Sequence, residues 1–239
     1  MSSNPTDHDG VLGQVQQIYD KTLRQHLPKT LGELAGVTAR HPRIFDITKN
    51  NPHYKEGLVQ AAHDVIEPGM VVDEIGTGRG VLTTHCLKAG ADRVRGYEAA
   101  DDMLKIANNT LARNVGSDWS SRVDLHHAVV GEPSHVYGTA AENVVAPSTL
   151  SDADVLLMDV EGAEQPILRQ LETAPAIVIV ETHPERGAPA DETLELLEAA
   201  GYDEVDRRQY EPGVDINEKP VLVGHRDDRT NRNETRTDH

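Results

Sequence analysis

Cysteine is nearly missing from this chain: Cys86 is the single thiol among 239 residues. One thiol excludes an internal disulfide and any metal site made of several cysteines. Its place in an apolar helical pattern reads as a small core residue rather than a nucleophile. No apolar run is long enough for a membrane span. The opening MSSNPTDHDG lacks the apolar stretch of a secretory signal, so a cytoplasmic location is expected. Positive charge is scarce: 40 acidic residues oppose 23 basic ones, 16 Arg and 7 Lys, for a formal net charge of -17. A surface this acidic repels nucleic acid at ordinary salt, which disfavours DNA or RNA as a partner. The same excess fits an acidic, halophilic-type surface on which concentrated salt screens the self-repulsion.

What is present suffices for one sizeable α/β domain with short additions. Residues 1–53 read as an N-terminal helical extension: Val11, Leu12, Val15, Ile18, Tyr19 and Leu23 recur at helical spacing, and Pro28 stops the pattern. Residues 54–225 form the main domain. Its apolar runs MVVDEI, RVRGYE, RVDLHHAVV, DVLLMDV and PAIVIVE read as strands, and 80–89, 100–114, 163–172 and 189–200 as helices. Short apolar strands alternating with helices predict a parallel sheet covered on both faces. YDEVDRRQY and PVLVGHR, joined by the turn EPGVDINEK, predict a closing hairpin that adds an antiparallel strand. Residues 131–153 are long for a plain loop, and VVAPSTL within them reads as a short strand. The tail 226–239 is polar, mixed in charge and expected to be disordered.

The stretch VVDEIGTGRGVL carries the chemistry. A turn directly after a strand and opening into a helix aims its backbone N–H groups above the sheet, and glycine lets a ligand come close. Gly76, Thr77, Gly78 and Gly80 form that turn. The dinucleotide fingerprint wants its third glycine where Val81 stands, and no Lys-Ser or Lys-Thr follows Gly80, so phosphate cradling is disfavoured. Glu98, at the end of the second strand and 22 residues after Gly76, stands where a carboxylate accepts ribose hydroxyls. Glu74 adds negative charge beside the turn, which suits a cationic ligand. Ribose, no phosphate and a positive group together describe S-adenosylmethionine. Its pocket is expected to use Glu74, Gly76, Thr77, Gly78, Gly80, Glu98, Ala99 and Asp159, with Ala128 and Val129 beside the adenine. A non-catalytic nucleotide-binding module and an NAD-dependent oxidoreductase are the rival readings. Glu74 and the missing glycine oppose the second.

With DADVLLMDVEGAEQPIL, these residues resemble the FkbM-type family of class I S-adenosylmethionine-dependent methyltransferases. STL just upstream and IVIVETHP on the next strand fit the same pattern, and the resemblance spans about 54–225. Family members commonly carry Lys ahead of this Asp-Val-Glu-Gly stretch, where this chain has Met158. The resemblance implies a Rossmann-like seven-stranded methyltransferase sheet, order 3-2-1-4-5-7-6 with strand 7 antiparallel. It also implies O-methylation of a small molecule, sugar or lipid hydroxyl.

In such a sheet Glu74, Glu98, Asp159 and Glu181 end four parallel strands and gather on one rim, where ligands bind. Asp159 and Glu161 are expected to border the transfer point, with Glu181 and His183 facing the acceptor. His183 is the expected base, because its ordinary pKa lies near neutrality. No metal is assigned, although Asp159, Glu181 and His183 would also suit a hard cation in metal-assisted O-methylation. His126 and His127 are adjacent on a strand, face opposite sides and do not share a metal; one is expected to be buried. Tyr54 is expected either to close the cofactor pocket or to pack the extension. Arg93, Arg95, Arg207 and Arg208 are the remaining candidates for a basic patch. The acceptor pocket falls to residues 1–54 and 131–153, and the oligomeric state leaves no pattern.

Overall fold

The computed structural model describes residues 29–42, 50–132, 141–150, 152–171 and 174–226. The helix expected over 11–27, and the tail beyond Arg226, lie outside them. Where the N-terminal extension is described before residue 53 it is not helical, which corrects the sequence reading. β1 (Lys29–Leu34) and β2 (Val37–Pro42) form an antiparallel hairpin, and β3 (Asn50–Asn51) pairs with β1 in parallel. The turn is Ala35–Gly36, with φ of 47° and 74°. Positive φ at both central positions is what a type I′ hairpin turn requires. Leu34, Val37 and Ala39 are buried and pack with Val81 and Tyr54, so burial here alternates as in a strand.

Next, α1 (Glu56–Val65) buries Gly57, Leu58, Ala61, Ala62 and Val65, one face at helical spacing. The alternating part follows as β4 (Val71–Ile75), α2 (Val81–Ala89), β5 (Arg93–Glu98), α3 (Asp101–Asn114) and β6 (Val123–His127). After these come β7 (Val129–Val130), β8 (Val144–Val145), β9 (Val155–Met158), α4 (Glu164–Leu168) and β10 (Ile177–Glu181). The chain then runs through α5 (Ala190–Ala199), β11 (Glu204–Gln209) and β12 (Pro220–His225).

The main sheet is seven-stranded, in the order β11-β12-β10-β9-β4-β5-β6. Six strands run in one direction, and β12 runs antiparallel to both its neighbours, β10 and β11. A mostly parallel α/β sheet was the expectation and is what forms. Strands outside it are additions to that plan. The run RVDLHHAVV breaks at Ala128, and β7 leaves the sheet to pair in parallel with β8, so residues 131–153 do carry a short strand.

Successive strand side chains point to opposite faces, so Val155 and Leu157 join one core while Leu156 and Met158 join the other. The first core takes Leu58, Ala62, Cys86 and Leu111 from α1, α2 and α3. The second takes Ile167, Leu168 and Leu197 from α4 and α5. Met158, just ahead of Asp159, is fully buried in that second core. Both faces are therefore sealed, and polar chemistry is left to the strand ends.

Candidate functional site

Beyond the carboxyl ends of β4, β5, β9 and β10 lies a cavity of ≈ 330 Å³. Ligands of open α/β sheets occupy this position. Gly76, Gly78, Glu98, Ala99, Ala128, Val129, Asp159, Glu161, Glu181 and His183 all line it, as does Tyr54. Tyr54 also packs against Leu34, Val37 and Ala39, so what it packs on in the extension is a strand hairpin and not the expected helix.

The turn after β4 is shaped by backbone contacts. The N–H groups of Gly76 and Thr77 both donate to the Tyr97 carbonyl, at 2.9 and 3.2 Å. Gly76 has φ 87°, and a Cβ there would lie 1.9 Å from the Asp159 carbonyl oxygen. Only glycine lets β4 and β9 come that close at the rim. Glu98 then ties the turn to β5: its carboxylate accepts the Gly78 N–H and the Ala100 N–H, each at 2.7 Å. Burial pushes the Glu98 carboxyl up, and those two amides hold it down. A carboxylate offers about four acceptor positions, so two remain for a pair of hydroxyls.

Three expected cofactor residues do not line the cavity. Gly80 packs against Ala107, and a Cβ there would meet its backbone at 3.1 Å. Thr77 turns its hydroxyl inward against Gly96. Glu74 is fully buried and accepts the Thr83 hydroxyl at 2.5 Å. Burial lifts the Glu74 carboxyl to about 8, so near neutrality it is protonated and supplies no charge to a cation. This corrects its expected role.

The far end of the cavity is a network of carboxylates and cations. Glu181 is buried, yet Lys55, His183 and Lys219 hold its carboxyl well below the usual range against the opposing effect of burial. Lys219 Nζ lies 2.8 Å from Glu181 and 4.5 Å from the centre of the Tyr210 ring. Lys55 Nζ donates to Asp159 and, at 3.2 Å, to Glu181. Burial raises the Asp159 carboxyl to about 7, with Lys55 opposing and Glu181 adding to the rise. Glu161, with φ 52°, lines the cavity 3.5 Å from Arg186.

His183 differs from its expected role. It is buried, its Nδ1 is bonded to Glu164, and its Nε2 lies 3.2 Å from Glu181. Burial alone would lower its pKa, but the two carboxylates outweigh that and raise it to about 10. At neutral pH both ring nitrogens therefore donate, and neither can take a proton. His183 is not the base. Its free energy has a sign that can be checked. A folded pKa above the unfolded value stabilises the fold fully below about 6.5, and that stabilisation is lost as pH rises through about 10. Between pH 7.5 and 10, urea-melt stability should fall by about 3 kcal/mol more in the wild type than in His183→Gln.

Asp159, Glu181 and His183 do offer ligand atoms within 4.8 Å of one another. His126 and His127 do not join them: His126 is exposed and stacks on Tyr97, while His127 bonds the Ala99 carbonyl at 3.2 Å. Neither is buried, contrary to expectation. Sequence reasoning missed Lys55, Tyr210 and Lys219. The one signal was lysine's rarity: of 7 lysines, two meet at Glu181.

Residues 95–204 match the methyltransferase FkbM domain family. Ribosomal RNA small subunit methyltransferase A of Lactobacillus johnsonii is 42% identical over 71 residues, 29% of this chain and 23% of that protein. The chain thus matches under a quarter of that curated relative's length. A T. thermophilus 16S rRNA N2 G1207 methyltransferase, solved with AdoMet and guanosine, superposes with a TM-score of 0.51 at 16% identity. That superposition covers 84% of this chain and 50% of the other. Magnesium protoporphyrin IX methyltransferase from Synechocystis, solved with bound SAH, gives 0.47 at 14% identity, covering 72% and 84%. Two of these proteins are ribosomal RNA methyltransferases by name. Over residues 95–204, a little under half of its length, this chain is similar to the methyltransferase FkbM domain family.

Proposed function

We propose that this chain transfers a methyl group from S-adenosylmethionine to a hydroxyl oxygen of a small molecule. The observation that carries the cofactor is Glu98, preset by two backbone amides and still able to accept two hydroxyls beside an open Gly78. The bound cofactor supplies an already activated methyl group on a sulfonium. This chain's residues hold the partners in line and remove one proton. Glu98 orients the ribose. Asp159, at the end of β9 with a carboxyl lifted to about 7, is placed to take the acceptor's hydroxyl proton, while the cofactor, when bound, would supply the methyl group and keep the displaced electron pair on its sulfur. Transfer should therefore rise with pH through about 7, as Asp159 loses its proton.

The small-molecule acceptor is supported by how the arginines are used. Arg93 pairs with Asp124, Arg95 with Asp73 and Asp152, Arg207 with Asp191, and Arg208 with Asp64. Charges neutralised in this way do not form a phosphate-binding stripe. The second reading is an RNA acceptor, favoured by the 42% match to a ribosomal RNA enzyme.

The test uses S-adenosylhomocysteine first. At about a hundredfold above its Kd it should stabilise the fold by about 2.7 kcal/mol, whereas NAD should leave the melting temperature unchanged. Labelled cofactor with cell extract then separates the acceptors. Label in small-molecule fractions that survives ribonuclease supports the proposal, and label lost to ribonuclease moves the assignment to RNA. No shift with S-adenosylhomocysteine would sink both.

A further inference from the structure

We propose that Lys55 is the built-in cation of this site, holding the place a divalent metal ion would take, so that the acceptor is bound without a metal. Asp159, Glu181 and His183 bring ligand atoms within 4.8 Å of one another. An ion bonded to oxygen and nitrogen at about 2.1–2.5 Å spans at most about 4–5 Å across, so the set has the size of a cation site. Glu164 on Nδ1 of His183, with Nε2 turned toward the site, is the carboxylate–histidine pairing that orients a metal-bound imidazole. Yet an ammonium stands among the ligands. Lys55 Nζ bonds Asp159 and Glu181, two of the three, and each of those carboxylates is almost wholly shielded from water.

The backbone is arranged to put it there. Lys55 has φ 50° and ψ 40°, a left-handed conformation that a lysine adopts only under constraint. Its N–H donates to Glu211 at 2.7 Å, and the Gly57 N–H donates to the Tyr210 carbonyl at 2.8 Å. A Cβ at Gly57 would lie 2.2 Å from the Gln209 carbonyl oxygen. The start of α1 is thus clamped on the end of β11, and the lysine projects from that clamp across the cavity. An ammonium has three N–H donors, and Asp159 and Glu181 use two. The third is available to the acceptor hydroxyl, which it orients toward the Asp159 carboxylate. The role toward the acceptor rests on the methyl-transfer reading. The cation site itself rests only on these side chains.

Removing the ammonium takes away the cation that Asp159 and Glu181 share, while Glu181 keeps Lys219 and His183; a divalent ion in the vacated space restores that charge and displaces the proton from His183 Nε2. Mn2+ alone is the probe, titrated by electron paramagnetic resonance into the wild type, Lys55→Ala, Lys55→Met and Lys55→Arg. The wild type and Lys55→Arg should show no stoichiometric site. Lys55→Ala and Lys55→Met should each gain one ion per chain, bound at least about tenfold tighter than anything in the wild type. A one-to-one Mn2+ site in the wild type would overturn the proposal. So would silence from whichever of Lys55→Ala and Lys55→Met still melts cooperatively. S-adenosylhomocysteine calorimetry on the wild type separates the two readings. Heat without the metal gain removes the cation role and keeps the methyltransferase, and the metal gain without heat does the reverse.

Discussion

Gly76→Ala should cost the fold about 2–5 kcal/mol and abolish cofactor binding in whatever fraction stays folded. Two effects add. The first is conformational: φ 87° lies in the left-handed region, where a Cβ crowds the following carbonyl at a cost of about 1–2 kcal/mol. The second is the 1.9 Å contact with the Asp159 carbonyl oxygen. That atom belongs to strand backbone, so the collision cannot be relieved by a rotamer change, and β4 and β9 must part at the rim. Overpacking of this kind costs about 1–3 kcal/mol. The displaced residue would be Asp159 itself, so stability and chemistry fall together. Gly213 provides the control: it has φ 89° and no atom within 4 Å of an added Cβ. Gly213→Ala should cost only the conformational part, about 1–2 kcal/mol, and leave S-adenosylhomocysteine affinity unchanged. Equal losses from the two variants in urea melts would show that the close approach of the strands is not what selects glycine at 76.

That the glycine turn was legible while Lys55 was not has a physical reason. The turn, β4, α2 and Glu98 lie within 28 residues, and each is signalled locally by an apolar run, a breaker or a carboxylate at a strand end. The parallel strands read equally well, because burial on both faces leaves near-continuous Val, Ile and Leu. Lys55 meets Asp159 across 104 positions and Glu181 across 126, contacts that no local pattern encodes. The N-terminal hairpin failed for a different reason. Its turn is Ala-Gly, and alanine at φ 47° is not the residue that advertises a type I′ turn. His183 was found in sequence, but its ordinary pKa misled. The charge state is set by Glu164 and Glu181 together, and Glu164 closes the DVEGAE stretch at the start of α4, 19 residues away. Glu74 misled likewise, since a carboxylate drawn as negative in sequence is neutral once fully buried beside other acids.

Glu98→Ala should weaken S-adenosylhomocysteine binding by about 10²–10³-fold, or about 3–4 kcal/mol, measured by calorimetry. The carboxylate is asked to accept two hydroxyls, and hydrogen bonds to a charged acceptor contribute about 1.5–3 kcal/mol each. Losing it also strands the Gly78 and Ala100 N–H groups, which today donate to it at 2.7 Å. The turn then loosens where the cofactor must lie, so the loss in affinity should be accompanied by about 1–2 kcal/mol of lost stability. Glu98→Gln isolates the charge. Its amide keeps one acceptor oxygen but turns an NH2 toward one of the two backbone donors, so it should lose affinity by an intermediate factor, about tenfold, and remain close to wild type in melting. An alanine variant that binds as tightly as the wild type would mean that the ribose lies elsewhere. The cavity beside Gly78 would then need another occupant, because the two Glu98 oxygens that line it are preset by the Gly78 and Ala100 amides.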